Sequence, residues 1–240
     1  MSAKYRKHFL PLESNPEVFN ELLQLLGVPE EIAFEDVFTL DEPDSLPRPA
    51  LAVVLVFPTT GGYDARLAAS ESSRPQYTGC GTGEPVLWFK QTINNACGLY
   101  AILHALGNSK AKSFIKPDSL LSRLFQAAIP QEPAERAKVL EDSAELEAAY
   151  ATVATKGDSV APENPEDDVY FHYICFARSD VDGHIYDLNG DCKGPVDTGV
   201  AIGPEADLLG PEALEVIKKY IDQEQGNIQF NLMALVQHED

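Results

Sequence analysis

Apolar and polar positions alternate along the chain with periods that change from segment to segment. Val18, Phe19, Leu22, Leu23, Leu25 and Leu26 follow Asn15-Pro16 and end at Gly27. A capping side chain, proline at the first helical position, a helical stripe and a closing glycine predict a helix there. Pro47-Arg48-Pro49 leads into the unbroken apolar run Ala50 to Phe57, halted by Pro58 and Gly61-Gly62. That run predicts a central strand buried on both faces. Residues 59–85 mix Thr, Ser, Gly, Pro and single charges without a period, which predicts a mobile surface excursion lacking regular structure.

Helical spacing returns from Asn95 to Leu106, with Gly107-Asn108 as its stop, then over Asp118 to Ile129 and Ala134 to Ala154. Residues 156–168 (KGDSVAPENPEDD) carry prolines and acidic side chains and little that is apolar, the mark of an exposed loop. Val169 to Ala177 and His184 to Leu188 are β-rich and flank Asp182-Gly183, so they predict an antiparallel hairpin. Pro211 to Gln225 predicts a last helix and Ile228 to Val236 a last strand. Helices and strands in mixed order, without repeats or a long polar linker, indicate one α+β domain over residues 1–240.

Composition narrows the partners. The 240 residues hold 18 basic and 38 acidic side chains, a net charge of −20. Such a surface repels phosphate backbones and anionic lipid, so neither nucleic acid nor membrane is expected, and a basic protein face fits better. The apolar run at 50–57 is far short of the roughly 20 residues that cross a bilayer. The start, Met-Ser-Ala-Lys-Tyr-Arg-Lys-His, is not followed by the apolar stretch of a secretory leader, so a cytoplasmic location is expected. Cys80, Cys97, Cys175 and Cys192 form no Cys-x-x-Cys pair, so reduced thiols are expected and zinc is not.

The candidate chemistry begins at Gln91-Thr92-Ile93-Asn94-Asn95-Ala96-Cys97-Gly98. A thiol at a helix N-terminus meets unpaired amides and the positive end of the helix dipole, which favour thiolate, the nucleophilic form. Those amides, with a side-chain amide such as Gln91, could hold an oxyanion. By position alone Cys97 also suits a small buried core residue. A thiolate needs a base, and His172, alone among apolar neighbours in the strand 169–177, is the candidate, with a core histidine as its plain alternative. His104 lies seven residues past Cys97 on one helix, about 10 Å along its axis and out of reach. His8, His184 and His238 occupy polar or terminal contexts.

The cysteine segment, continued by Ile102-Leu103-His104-Ala105, resembles the active-site segment of the ubiquitin carboxyl-terminal hydrolases. The likeness extends in order through Pro11-Leu12-Glu13-Ser14-Asn15-Pro16-Glu17, Phe34-Glu35-Asp36-Val37, Pro47-Arg48-Pro49, Asp182-Gly183-His184-Ile185-Tyr186 and Gln229-Phe230-Asn231-Leu232. It implies a papain-like α+β fold, a central, mostly antiparallel sheet flanked by helices, with a knotted backbone. It further implies Cys97 as nucleophile, His172 as general base, Gln91 as oxyanion-hole donor, and a crossover segment at 156–168 arching over the site.

The expected activity is hydrolysis, without cofactor or metal, after the C-terminal glycine of ubiquitin, releasing small or unfolded adducts in protein catabolism. The alternatives are the same chemistry on a modifier such as Nedd8, or a ubiquitin-binding module that does not cleave. A monomer is expected. One departure touches the chemistry. Where the family has Leu-Asp-Gly, with Asp orienting the histidine, this chain has Leu188-Asn189-Gly190. Asn189 takes the orienting role by motif position, and Asp187, two residues earlier in the strand, is the alternative.

Overall fold

A computed structural model describes residues 5–42, 45–159, 161–167, 169–223 and 229–238. The leader reading at residues 1–4, positions 160 and 168 of the acidic loop, positions 224 and 225 of the last helix and Ile228 of the last strand lie outside these. In chain order the elements are β1 (Lys7–His8), α1 (Pro16–Leu26), β2 (Ile32–Asp36), β3 (Ala50–Pro58), α2 (Gly61–Ser72), β4 (Ile93–Asn94) and α3 (Cys97–Gly107). There follow α4 (Leu120–Ala128), α5 (Pro133–Glu141), α6 (Ala144–Val153), β5 (Phe171–Arg178), β6 (His184–Leu188), β7 (Val196–Ala201), α7 (Pro211–Asp222) and β8 (Asn231–Gln237).

Helix α1 forms for the reasons its sequence suggests. The Asn15 side chain accepts the Glu17 amide at 2.8 Å, Pro16 opens the first turn, and Gly27 closes the helix at φ 96°, where a side chain would be strained. Six strands make one antiparallel sheet in the order β2-β8-β3-β5-β6-β7, while β1 and β4 pair in parallel beside it. The run at 50–57 is apolar throughout because β3 is central and covered twice. Ala52, Val54 and Val56 face a core shared with α1, α3 and α4, and Val53, Leu55 and Phe57 face a second core shared with α2 and α7. At roughly 25 cal/mol per Å², burying both faces makes this strand the main hydrophobic anchor of the sheet.

Two expectations are corrected. The excursion at 59–85 contains α2, a twelve-residue helix capped by Thr60, whose hydroxyl accepts the Tyr63 amide. Only Tyr63 and Glu71 of that helix are buried, so it lacks the stripe by which helices are recognised. Tyr63 packs edge-on to Phe57, and the Glu71 carboxylate accepts the Lys193 amide and pairs with Arg74. The single helix expected over 134–154 is two, broken at Asp142-Ser143. Ser143 turns to extended backbone and accepts the Leu146 amide at 3.1 Å, while Arg6 binds Glu141 and Asp142 at the break. The edge strands β2 and β7 had no sequence expectation of their own; β7 is half-exposed along its length.

Candidate active site

The segment after β3 and α2 is led into the protein by buried anchors. Trp88 donates its indole N–H to the Asn189 carbonyl at 3.1 Å, and the Phe89 amide donates to His104 Nε2 at 2.9 Å. His104 is therefore a structural residue. It is completely buried, and burial pushes its ring down to about 3, so it stays neutral as an acceptor. Gln91 then donates its backbone N–H to the Gly190 carbonyl at 2.9 Å. A β-carbon on Gly190 would stand 2.8 Å from Gln91 Cβ, so only glycine permits this approach.

Cys97 is the first residue of α3, preceded by Ala96 with no side-chain cap. The first-turn amides of such a helix have no intrahelical acceptors and point toward the thiol's surroundings. Asn95 holds the entry with φ at +58°, a conformation asparagine tolerates better than most residues. Its Nδ2 donates to the carbonyls of Pro165 and Asp167, both at 3.0 Å, tying the turn before Cys97 to the acidic loop. At the loop's other end the Glu13 carboxylate accepts the amides of Asp158 and Ser159. Burial works against ionisation of Glu13, but these hydrogen bonds prevail and hold it below the usual carboxylate range.

His172 stands near the start of β5, opposite Phe57 of β3 in the antiparallel register. Its ring lies edge-on to Phe57 and against Tyr63. Nε2 is 2.8 Å from Asn189 Oδ1, which also accepts the Asp191 amide at 2.9 Å, while Asn189 Nδ2 donates to the Tyr63 hydroxyl at 2.9 Å. Because a backbone N–H also donates to Oδ1, that oxygen must be the acceptor for the ring. The Nε2 atom thus carries a proton and the Nδ1 atom is the basic nitrogen of the neutral ring. The Asp191 carboxylate is 3.7 Å from Nδ1. Burial alone would lower the ring's affinity for a proton; Asp191, the Cys97 side chain and Asn189 together overcome it and raise the pKa to about 9.

The structure thus brings together Cys97, His172 and Asn189, with Gln91 nearby in the segment that leads to the cysteine. It does not put Asp187 on the ring. Asp187 Oδ1 has no hydrogen-bond partner among the described residues, and burial pushes its carboxyl up to about 7. Gln91 is buried, its Nε2 donating weakly to the Ile93 carbonyl at 3.3 Å and its Oε1 unpartnered. Of the other cysteines, Cys175 and Cys192 are buried and their thiols pushed up by burial, and Cys80 is exposed.

Tyr63 and Asp191 had no place in the sequence reading. The signal for Asp191 was present, a carboxylate two residues beyond Asn189, but nothing local tells which side chain an Asx turn directs at a distant ring. Beside Cys97 opens a cleft of about 760 Å³ lined by Leu12, Tyr173 and Phe230, with Tyr170 and Phe171 exposed at its margin and Ser159, Ala161 and Pro162 of the acidic loop along one side. Among the described residues no group of His, Cys, Asp and Glu is placed to hold a metal, and no helix is long and apolar enough to cross a membrane.

Comparison with known proteins shows the family and the fold. Residues 9–222 match the family model described as ubiquitin carboxyl-terminal hydrolase, family 1. Ubiquitin carboxyl-terminal hydrolase 3 of Arabidopsis thaliana is 36% identical over 233 residues, covering 95% of this chain and 94% of that one. The human ubiquitin carboxyl-terminal hydrolase isozyme L1 is 33% identical over 227 residues, covering 94% and 96%. The catalytic domain of Trichinella spiralis UCH37, crystallised with ubiquitin vinyl methyl ester, has the same fold at a TM-score of 0.71 and 19% identity, over 99% of this chain and 97% of that one.

Proposed function

Because the chain belongs to ubiquitin carboxyl-terminal hydrolase family 1 and is a cysteine-type thiol peptidase, we propose that it cleaves the bond after the C-terminal glycine of ubiquitin with Cys97, His172, Asn189 and Gln91. The observation that carries the assignment is the buried chain of contacts from Cys97 through His172 to Asn189, in which Asn189 fixes the ring's tautomer. In this reading His172 Nδ1 takes the Cys97 proton, and the thiolate attacks the glycine carbonyl. The oxyanion is met by the amides opening α3 and by the Gln91 side chain, whose amide must turn its Nε2 toward the site to donate.

The imidazolium returns its proton to the leaving amine as the tetrahedral carbon collapses to a thioester. Water, losing a proton to His172, then hydrolyses the thioester and regenerates the thiol. The cleft suits an extended chain, with apolar walls from Leu12, Tyr173 and Phe230. The net charge of −20 favours a partner that presents a basic face, as ubiquitin does. The loop at 156–168, tied at Glu13 and Asn95, is read as a crossover that admits small or unfolded adducts and excludes folded ones. One catalytic unit spanning residues 1–240 fits this reading, since both cores share one sheet. A monomer in a reducing compartment, the cytoplasm, completes it, with protein catabolism as the process served.

The test is turnover of ubiquitin and of Nedd8 carrying a small C-terminal amide. Hydrolysis of ubiquitin-amide by the native chain, lost in Cys97→Ala, supports the proposal. Preference for Nedd8 would change the substrate and keep the chemistry. Tight ubiquitin binding without turnover would leave a binding module.

A further inference from the structure

Asn189 faces Nε2 of His172 with a neutral amide, so this side of the ring carries no negative charge. Asparagine can aim the ring but cannot balance the charge that forms when the thiol gives up its proton. A negative charge stands on the other side of the ring instead. Asp191 Oδ2 lies 3.7 Å from Nδ1, the nitrogen that receives the proton, and 34% of its side chain remains accessible. Its position is set by the turn that sets the ring. The Asp191 amide donates to Asn189 Oδ1, the same oxygen that faces Nε2, so one side-chain amide fixes both the imidazole and the backbone from which the carboxylate projects.

We infer that Asp191 is the electrostatic partner of His172, supplying from the Nδ1 side the negative charge that Asn189 lacks, so that aiming and charge balance are divided between two residues. Asp191 is thus a positioning and charge-balancing residue acting through His172; the inference rests on the proposed catalytic role of that histidine.

The other charged or titratable groups around the ring do not fill this place. From α3 comes Cys97, the proton's source, and from α2 Tyr63, whose phenol burial keeps protonated. From β6 comes Asp187, a carboxyl that burial raises to about 7; its charge also reaches the ring, but its Oδ1 makes no hydrogen bond among the described residues. Cys192 follows in the same loop as Asp191, its thiol likewise kept protonated by burial. From α7, Tyr220 packs on Phe57 and Phe176 rather than on the imidazole, and burial keeps it protonated too. The nearby cation, Lys90, is disfavoured by burial and feels the Asp191 charge, but its hydrogen bonds go to the carbonyls of Asp191 and Cys192 rather than to the carboxylate. At the open side Tyr5 is held protonated by partial burial and, to a lesser extent, by Asp191 and Cys97.

The sign of the effect follows from linkage. The reactive pair is thiolate with imidazolium, so activity is lost as pH rises and the imidazolium gives up its proton. Removing the Asp191 charge makes that loss easier, and the basic limb of the pH–rate profile moves to lower pH. A half-open carboxylate places the shift near the lower end of the usual range, about 1 pH unit, which lowers kcat by up to roughly tenfold at pH values above the native limb.

The experiment compares the native chain with Asp191→Asn, which keeps the backbone turn, and with the double variant Asn189→Asp/Asp191→Asn, which returns the charge to the Nε2 side. Two readouts are taken: kcat and KM on ubiquitin with a small C-terminal amide from pH 5 to 10, and the His172 ring titration by NMR on resting enzyme. The expected result is a basic limb and ring titration both about 1 unit lower in Asp191→Asn, with KM unchanged and both restored in the double variant. A raised KM with limb and titration unmoved would make Asp191 a substrate contact and overturn the inference. A shifted titration that the double variant does not restore would also overturn it. If the native chain turns over no ubiquitin substrate, the proposed function fails, while the NMR titration still decides the relation between Asp191 and His172.

Discussion

Asn189 Nδ2 donates to the Tyr63 hydroxyl at 2.9 Å, so a helix hidden in the polar stretch after β3 steadies the residue that faces His172. Tyr63→Phe removes the acceptor and leaves a buried amide hydrogen unpaired, at a cost of about 1–3 kcal/mol. The expected outcome is a roughly threefold to tenfold fall in kcat with KM held, because only the aim of the imidazole changes. Steady-state kinetics with thermal unfolding checks it. Lost stability with unchanged kcat would make Tyr63 a purely structural support.

The choice between Asn189 and Asp187 gives the second prediction. Asn189→Ala should lower kcat/KM by an order of magnitude or more, and Asn189→Asp should keep or raise activity, because a carboxylate favours imidazolium. Asp187→Asn should act on stability instead. Its carboxyl is raised from 3.8 to about 7 on folding, so the folded chain holds a proton that the unfolded chain releases between those values. The contribution is intact below pH 3.8 and lost as pH rises through 7. Asp187→Asn should therefore raise the melting temperature at pH 8, by the equivalent of up to about 4 kcal/mol, and change it little at pH 4. Equal effects at both pH values would contradict the assignment.

How far the sequence reached can be judged from these same residues. The helix α1, the central strand β3 and the β5–β6 hairpin were legible because caps, apolar runs and Asp182-Gly183 are local signals. A central, mostly antiparallel sheet followed from the resemblance rather than from any period; its six strands in the order β2-β8-β3-β5-β6-β7 were not legible, since that order joins strands far apart in the chain. Helix α2 was illegible because it buries only Tyr63 and Glu71, with Leu67 half-buried against the second core, and the break at Asp142-Ser143 because Ala, Glu and Leu favour helix on both sides of it. Within the site, residue identities came from the motif. The proximity of Asp191 to the ring depends on a turn that brings residues seventeen and nineteen positions past His172 back beside it, which no spacing in the sequence records.

A third prediction separates the four thiols. Cys97→Ala should abolish turnover and retain ubiquitin binding, because the thiol meets only the last carbonyl while affinity comes from the wider surface. Cys80→Ser and Cys192→Ala should leave kcat unchanged. Cys175→Ser should also keep the chemistry but lower stability by about 1–3 kcal/mol, since it places a hydroxyl in the fully buried middle of β5. Chemical denaturation and binding titrations distinguish these outcomes.

The fourth concerns the loop along the cleft. Asn95→Gly keeps the left-handed backbone and deletes the two hydrogen bonds to Pro165 and Asp167. Amide exchange over residues 161–167 should speed up, and larger adducts should be released faster relative to a small amide. A Gly/Ser insertion in the same loop should relax the filter further, each doubling of length costing only about 0.6 kcal/mol. If a compact ubiquitin dimer remains uncut at every insertion length while the small amide is hydrolysed, the rigid cleft walls set the size limit.

The central claim, that Cys97 is the nucleophile toward the ubiquitin C-terminus, is met most directly by trapping. The protein is incubated with ubiquitin, and separately with Nedd8, each bearing an electrophile in place of the last carbonyl, and the adduct is mapped by mass spectrometry. The account predicts one ubiquitin per chain, attached at Cys97, and none in Cys97→Ala. An adduct on Cys80, or none on the native chain, would contradict it.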